Sequence, residues 1–150
     1  MKLSILQVLL IDDDKPTNFF NKMIIEKYGD LGNVSTVTSG LEALEYFKEV
    51  NEGKQNKPSL VFLDINMPGM NGWEFLKEFV KFGNKITDGV GIFMLTTSDD
   101  EKEIEKAEKH SLVLDFLNKP LSLKLLDNAL EKYFCTIAKH GKNKTISISR

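Results

Sequence analysis

This 150-residue chain has few of the residues that make disulfides, membrane spans or strongly charged surfaces. Its one cysteine, Cys135, excludes an internal disulfide and a metal site built from several cysteines, and it suits a reducing compartment. No apolar run approaches the roughly 18–20 residues of a membrane span, and the amino terminus is not a convincing signal peptide. Twenty basic and 22 acidic residues leave a net charge of −2, without the bulk positive field that attracts nucleic acid or anionic membranes. We therefore expect a soluble, cytoplasmic protein that binds neither nucleic acid nor membrane.

The length of the chain suits one domain with a sizeable core. We predict a folded domain over residues 1–140 and a polar, basic tail over residues 141–150 that is expected to be disordered. Because no linker to a second folded domain is evident, the sequence is expected to be a stand-alone unit.

Two apolar runs end in carboxylates. Residues 60–63 read Leu-Val-Phe-Leu and lead directly into Asp64, while residues 5–11 lead into the three aspartates Asp12–Asp14. A continuous apolar run closed by polar and turn residues predicts a strand that is buried on both faces. The carboxyl ends of such strands form the edge of an open α/β sheet where ligands bind.

Strands and helices alternate along the chain. The strands are predicted near residues 5–11, 34–38, 60–63, 92–96 and 112–117. Five helices follow them, and residues 83–91 are predicted to be a loop. This alternation predicts an α/β fold, with a five-stranded parallel sheet, five helices on both faces and a flavodoxin-like, doubly wound topology.

Three of the helices carry informative residues. Phe20 and Met23 recur at helical spacing on the apolar side of the first helix, and Leu41 is predicted to be on the core face of the second. A capping box of Ser98 and Glu101 is predicted to open the fourth helix. That helix is nearly all charged, so we expect it to be weakly anchored and mobile.

The chemistry is concentrated at four strand ends. If the first and third strands are neighbours, Asp12, Asp13 and Asp64 converge, and a hard divalent cation such as Mg²⁺ relieves their repulsion. Thr96 and Lys119 end two further strands with a hydroxyl and an ammonium group. Taken singly, these residues are more often helix caps, loop caps or solvated lysines. Their joint occurrence favours a site that handles phosphoryl groups.

This residue set resembles the receiver domain of two-component response regulators over residues 5–138. The matching motifs are Asp12-Asp13, Leu-Asp-Ile-Asn-Met-Pro-Gly-Met-Asn-Gly around Asp64, Thr96, and Lys119-Pro120. The resemblance implies that Asp64 accepts a phosphoryl group from a sensor histidine kinase or a histidine phosphotransfer protein. It also implies that Asp12, Asp13, Asp64 and the backbone carbonyl of Asn66 hold Mg²⁺.

The same resemblance implies a switch. Thr96 and Lys119 would contact the phosphoryl oxygens, and the Lys119-Pro120 bond is expected to be cis. Thr96 and Phe116 would then move together and change a surface of the fourth helix, fifth strand and fifth helix, which binds a downstream protein. A second copy of the chain is a further candidate partner.

Three other readings remain open. A receiver-like scaffold that needs no phosphorylation is argued against by the complete set of acidic, threonine and lysine residues. A haloacid-dehalogenase-type phosphatase would need a second aspartate at the position of Asn66. A flavodoxin-like cofactor binder would need a phosphate-binding loop after Ile11, where this chain has carboxylates.

Overall fold

The computed structural model describes residues 6–29, 31–97 and 100–140, with only the backbone described for the last four residues. Its five strands are β1 (Val8–Ile11), β2 (Val34–Val37), β3 (Leu60–Leu63), β4 (Gly91–Thr96) and β5 (Val113–Asn118). They form one parallel sheet in the order β2-β1-β3-β4-β5. The predicted parallel sheet is confirmed, and its strand order reverses between β1 and β3, which is where doubly wound sheets open a crevice.

Six helices are described, together with a 3₁₀ turn at Val80–Phe82. They are α1 (Lys15–Tyr28), α2 (Gly40–Asn51), α3 (Gly72–Phe79), α4 (Asn84–Thr87), α5 (Glu101–Lys109) and α6 (Leu123–His140). The fourth and fifth predicted helices correspond to α5 and α6. Within the described residues, no helix is long and apolar enough to cross a membrane.

The short helix α4 lies inside the stretch that was predicted to be a loop. It is one turn long, so apolar periodicity could not reveal it. Ile86 and Thr87 are buried, and the Nζ of Lys57 donates to the backbone oxygens of Lys85 and Asp88 over 3.3 and 2.6 Å. These tertiary contacts hold a turn that the local sequence does not specify.

The core has one layer on each side of the sheet. Alternate strand residues, such as Leu9 and Val61, face α2, α3, α4 and α5, while their neighbours, such as Leu10 and Phe62, face α1 and α6. The three central strands, β1, β3 and β4, are buried on both sides because helices cover both faces of the sheet. This burial holds the strand ends rigidly and therefore fixes the positions of the residues that follow them.

The predicted apolar side of α1 is only partly right: Ile24 and Tyr28, at the same spacing, pack against the core, but the first two residues of the series do not. Phe20 and Met23 are 43% and 51% exposed, and the buried residues of this helix are Asn18, Asn21 and Ile25. Hydrophobic spacing failed here because two asparagines face inward. A buried amide is tolerated when it makes hydrogen bonds, as Asn18 does.

The predicted core face of α2 is also partly wrong. Leu41 is 68% exposed, whereas Gly40, Ala43 and Phe47 are buried. Gly40 faces inward because Met70 covers it closely: a Cβ atom at this position would lie 2.7 Å from the Met70 sulfur. The smallest residue of the helix therefore occupies the tightest place.

Several predictions concern residues that lie outside the described part of the chain. Ser98, which was predicted to cap the fourth helix, and the tail over residues 141–150 are among them. In the structure, Asp100 is the N-cap of α5, and its carboxylate accepts from the backbone nitrogen of Lys102 over 2.9 Å.

Helix α5 is weakly anchored, as the sequence predicted. Ala107 is its one fully buried residue. Much of its attachment to α3 goes through Trp73, whose indole Nε1 donates to a Glu103 carboxylate oxygen over 2.9 Å. The Lys106 ammonium lies 4.8 Å from the centre of the same indole ring.

Candidate functional site

The strand register brings Asp12 and Asp64 together. Ile11 of β1 is paired with Leu63 of β3, and the backbone nitrogen of Asp64 donates to the oxygen of Ile11 over 2.9 Å. The next residue on each strand is an aspartate, and both side chains are buried, with 4% and 6% of the residue exposed. The two carboxylates thus meet at the crevice where the strand order reverses.

Asp13 completes an acidic cluster. One carboxylate oxygen from each of Asp12, Asp13 and Asp64 lies within 4.8 Å of the others. Asp13 is exposed, so the cluster opens to solvent on that side.

Lys119 is the cation beside this cluster. Its Nζ lies 2.6 Å from Asp12 Oδ2 and 3.4 Å from Asp64 Oδ1, and its side chain is only 16% exposed. The Lys119 backbone nitrogen donates to the backbone oxygen of Thr96 over 2.7 Å, so the two predicted phosphoryl-binding residues sit next to each other. The bond from Lys119 to Pro120 is cis, as the resemblance implied.

The electrostatics show an excess of negative charge. Burial, followed by the charge of Asp12, raises the pKa of Asp64 to about 6, although Lys119 acts in the opposite direction. Burial would lower the pKa of the Lys119 amine, but its hydrogen bond to Asp12 and the charges of Asp64 and Asp12 outweigh burial and raise that pKa. One ammonium therefore does not balance three carboxylates.

The donor set fits Mg²⁺. Carboxylate oxygens are hard ligands, and Mg²⁺ is commonly held by one or two carboxylates while it keeps several waters. The open side at Asp13 leaves space for such waters. A divalent cation would also reduce the repulsion that raises the pKa of Asp64.

The loop after β1 is shaped by the aspartates themselves. Asp12 Oδ1 accepts from the backbone nitrogen of Asp14 over 2.9 Å. Asp14 is the N-cap of α1, and its Oδ2 accepts from the backbone nitrogen of Thr17 over 3.0 Å. Because the Asp14 carboxylate caps α1, only Asp12 and Asp13 of this loop join Asp64 in the cluster.

The other predicted site residues lie around this crevice. Thr96 is buried at the end of β4, with 1% of the residue exposed. Phe116 is half-buried on β5, two positions before Asn118, which pairs with Thr96. Asn66 lies two residues beyond Asp64 and is exposed.

Sequence reasoning missed two residues that shape the site. The Nδ2 of Asn18 donates to the backbone oxygen of Asp12 over 2.9 Å, although an asparagine inside a helix normally indicates a solvent-facing side. Gly72 lies against the end of β3: a Cβ atom at this position would be 2.7 Å from the backbone oxygen of Asp64 and 3.0 Å from the Cα of Ile65. A glycine near a turn was visible in the sequence, but this close approach was not.

Comparison with known proteins gives one consistent family. Residues 8–131 match the family model described as the response regulator receiver domain. A probable C4-dicarboxylate response regulator, DctR, from Halalkalibacterium halodurans is 31% identical over 97% of this chain. Regulatory protein VanRB from Enterococcus faecalis is 33% identical over 86% of it. The chain spans 59% and 52% of these two relatives, so their full-length activities do not transfer directly.

A solved structure covers nearly the same length. The crystal structure of a two-component response regulator from Cytophaga hutchinsonii is 33% identical, with a TM-score of 0.82. The alignment covers 90% of this chain and 99% of that one.

Proposed function

The chain belongs to the family of response regulator receiver domains of two-component signalling, and from this premise we propose that Asp64 is its phosphoacceptor. The observation that carries the proposal is the cluster at the sheet edge, where Asp12, Asp13 and Asp64 meet beside Lys119. In this proposal, a sensor histidine kinase or a histidine phosphotransfer protein supplies the phosphoryl group.

The transfer is a displacement at phosphorus. An Asp64 carboxylate oxygen forms the new P–O bond, while the P–N bond to the donor histidine breaks. The imidazole ring leaves with the bonding electron pair on its nitrogen. That nitrogen takes up one proton, which gives a neutral imidazole, and a second proton on the other ring nitrogen gives an imidazolium. The nucleophile must be ionised, which a pKa of about 6 permits at neutral pH.

The neighbouring residues neutralise and orient the phosphoryl group. Asp12, Asp13, Asp64 and the backbone carbonyl of Asn66 would hold Mg²⁺, which would supply positive charge for the phosphoryl oxygens. Lys119 already contacts Asp64 and would transfer one of its hydrogen bonds to a phosphoryl oxygen. Thr96 lies beside Lys119, so its hydroxyl would donate a hydrogen bond to another phosphoryl oxygen.

We propose that the phosphodonor docks on the first turns of α1. Phe19, Phe20 and Met23 are 68%, 43% and 51% exposed there, which is unusual for large apolar residues on one short segment. This helix starts immediately after the acidic loop, so a protein that covers the three side chains is also close to Asp64. Apolar contact would supply affinity, while the histidine reaches the crevice.

We propose that the downstream protein binds the face formed by α5, β5 and α6. A groove of about 350 Å³ lies there, lined by Ile104, Ala107, Phe116 and Lys132 among others. Phosphorylation would draw Thr96 towards the phosphoryl group and let Phe116 fill the vacated space, which changes this groove. The weak anchoring of α5 makes such a change inexpensive in free energy.

The test is incorporation of phosphate from acetyl phosphate, followed by intact mass. We expect one phosphoryl adduct with Mg²⁺ and none with EDTA. Asp64→Asn should abolish the adduct, whereas Asp88→Asn, an exposed aspartate after α4, should not. Unchanged incorporation in Asp64→Asn would overturn the assignment.

The same experiment separates the other functions. No adduct on the folded wild-type chain would favour the phosphorylation-independent scaffold, and partner capture would be the next step. Continuous release of phosphate from a small phosphomonoester would favour a phosphatase.

We also propose that the protein is cytoplasmic. A sensor histidine kinase would present its phosphohistidine in that compartment, and the single cysteine, Cys135, suits a reducing environment.

A further inference from the structure

A buried asparagine of α1 holds the loop that carries the acidic cluster. Asn18 is 4% exposed, and its Nδ2 donates to the backbone oxygens of Asp12 and Val37 over 2.9 and 3.1 Å. Val37 is the last residue of β2, and Asp12 directly follows β1. One side-chain amide therefore ties α1 to the carboxyl ends of two neighbouring strands.

These contacts act most directly on Asp13. The backbone oxygen of Asp12 belongs to the peptide group that precedes Asp13, and Asn18 donates a hydrogen bond to this oxygen. The peptide group that follows Asp13 is also held, because the Asp14 nitrogen donates to Asp12 Oδ1 over 2.9 Å. With both flanking peptide planes fixed, the direction of the Asp13 Cα–Cβ bond is fixed as well.

Asp13 has little else to orient it. Within the part of the chain that the structure describes, its exposed carboxylate makes no hydrogen bond or ion pair. Asp12, in contrast, is engaged by Lys119 and by its own loop. The orientation of the Asp13 carboxylate towards Asp12 and Asp64 thus depends on the conformation of its backbone.

We propose that Asn18 is a positioning residue for the divalent-cation site, acting through the backbone on Asp13. The inference rests on the proposed function, since it concerns the Mg²⁺ that this function requires. Asn18 donates to two strand-end carbonyls although its own Oδ1 is buried and has no hydrogen-bond partner within the described residues. Such an orphaned atom costs stability, so the chain keeps the contacts to the loop in spite of that cost.

The test measures Mg²⁺ binding directly and phosphorylation separately. Calorimetric titration gives the Mg²⁺ Kd of the unphosphorylated full chain, and acetyl phosphate gives the rate at low and saturating Mg²⁺. The variants are Asn18→Ala and Asn18→Leu, the second of which keeps the branched shape of the side chain without its hydrogen-bonding atoms. The matched control is Asn21→Ala, because Asn21 is 2% exposed on the same helix and makes no hydrogen bond to the acidic loop within the described residues.

We expect both Asn18 variants to raise the Mg²⁺ Kd roughly tenfold, as the loss of an outer-shell contact to a metal ligand does. The phosphorylation rate of the Asn18 variants should fall more at low Mg²⁺ than at saturating Mg²⁺, and the Kd of Asn21→Ala should keep its wild-type value. A wild-type Kd in the folded Asn18 variants, or an equal rise in Asn21→Ala, would overturn the inference. No Mg²⁺ binding by the wild-type chain would overturn the proposed metal site and this inference with it.

Discussion

Asp64→Asn should make the metal-free protein more stable, although it removes the proposed phosphoacceptor. Asp64 is buried beside Asp12, and its pKa is raised from 3.8 to about 6. This difference of about 2 units corresponds to about 3 kcal/mol against the ionised form in the folded protein, because one unit is about 1.4 kcal/mol. An amide has nearly the same shape as the carboxyl group and carries no charge, so it avoids this destabilisation.

The effect depends on pH in a defined direction. The folded protein binds the Asp64 proton more tightly than the unfolded chain, so the stability that this proton contributes is present at low pH and is lost as the pH rises through about 6. By the linkage relation, we expect the free energy of unfolding of Asp64→Asn to exceed that of the wild type by about 3 kcal/mol near pH 7.5, by roughly half as much near pH 5 and by less than about 1 kcal/mol near pH 4.

Urea unfolding in EDTA at these three pH values measures the effect. The control is Asp88→Asn, whose exposed side chain should change the free energy of unfolding by less than about 0.5 kcal/mol. Adding Mg²⁺ should stabilise the wild type more than Asp64→Asn, because a ligand stabilises the state that binds it. The electrostatic reasoning fails if Asp64→Asn gains nothing at neutral pH, or if its gain is the same at all three pH values.

Two further predictions follow from contacts around the site. Trp73→Phe keeps the ring packing but removes the hydrogen bond to Glu103, so the amides of α5 should exchange roughly tenfold faster, which corresponds to about 1.4 kcal/mol, while those of α6 do not change. Equal protection of α5 in wild type and variant, by mass-spectrometric hydrogen exchange, would contradict this role of Trp73. Gly72→Ala should destabilise the protein by about 1–3 kcal/mol and slow phosphorylation. The new Cβ would lie 2.7 Å from the backbone oxygen of Asp64, so the backbone at the end of β3 would have to move. Chemical denaturation and the acetyl phosphate assay measure these two effects, and a fully active, equally stable variant would show that the close approach is unimportant.

Sequence patterns were most successful where burial was complete. The runs before Asp12 and Asp64 contain four consecutive buried residues in each strand, so continuous apolarity indicated the strands directly. The alternation of strands and helices then implied a parallel sheet, and parallel sheets bring strand ends to one edge. These two steps predicted that Asp12 and Asp64 would meet if the first and third strands were neighbours, and the structure shows that β1 and β3 are paired.

Sequence patterns failed where the tertiary structure reversed the usual preference of a residue. Phe20 and Leu41 are exposed, while Asn18 and Gly40 face inward. An asparagine is accepted in the interior of α1 because two strand-end carbonyls receive its hydrogen bonds. A glycine is accepted in α2 because Met70 occupies the space of a side chain. Val37 and Met70 are distant from these residues in the sequence, and the carbonyl of Asp12 is brought to Asn18 only by the fold, so no local pattern could reveal these contacts.

The sequence by itself thus determined the fold and the chemical groups of the candidate site, because strand burial and the residue after each strand are local properties. Only the tertiary structure decided how those groups are arranged. The register of β1 against β3 sets the two buried aspartates side by side, and the burial that results raises the pKa of Asp64. The distances from Lys119 to the aspartates and the hydrogen bond from Asn18 to Val37 depend likewise on contacts between residues that are far apart in the chain.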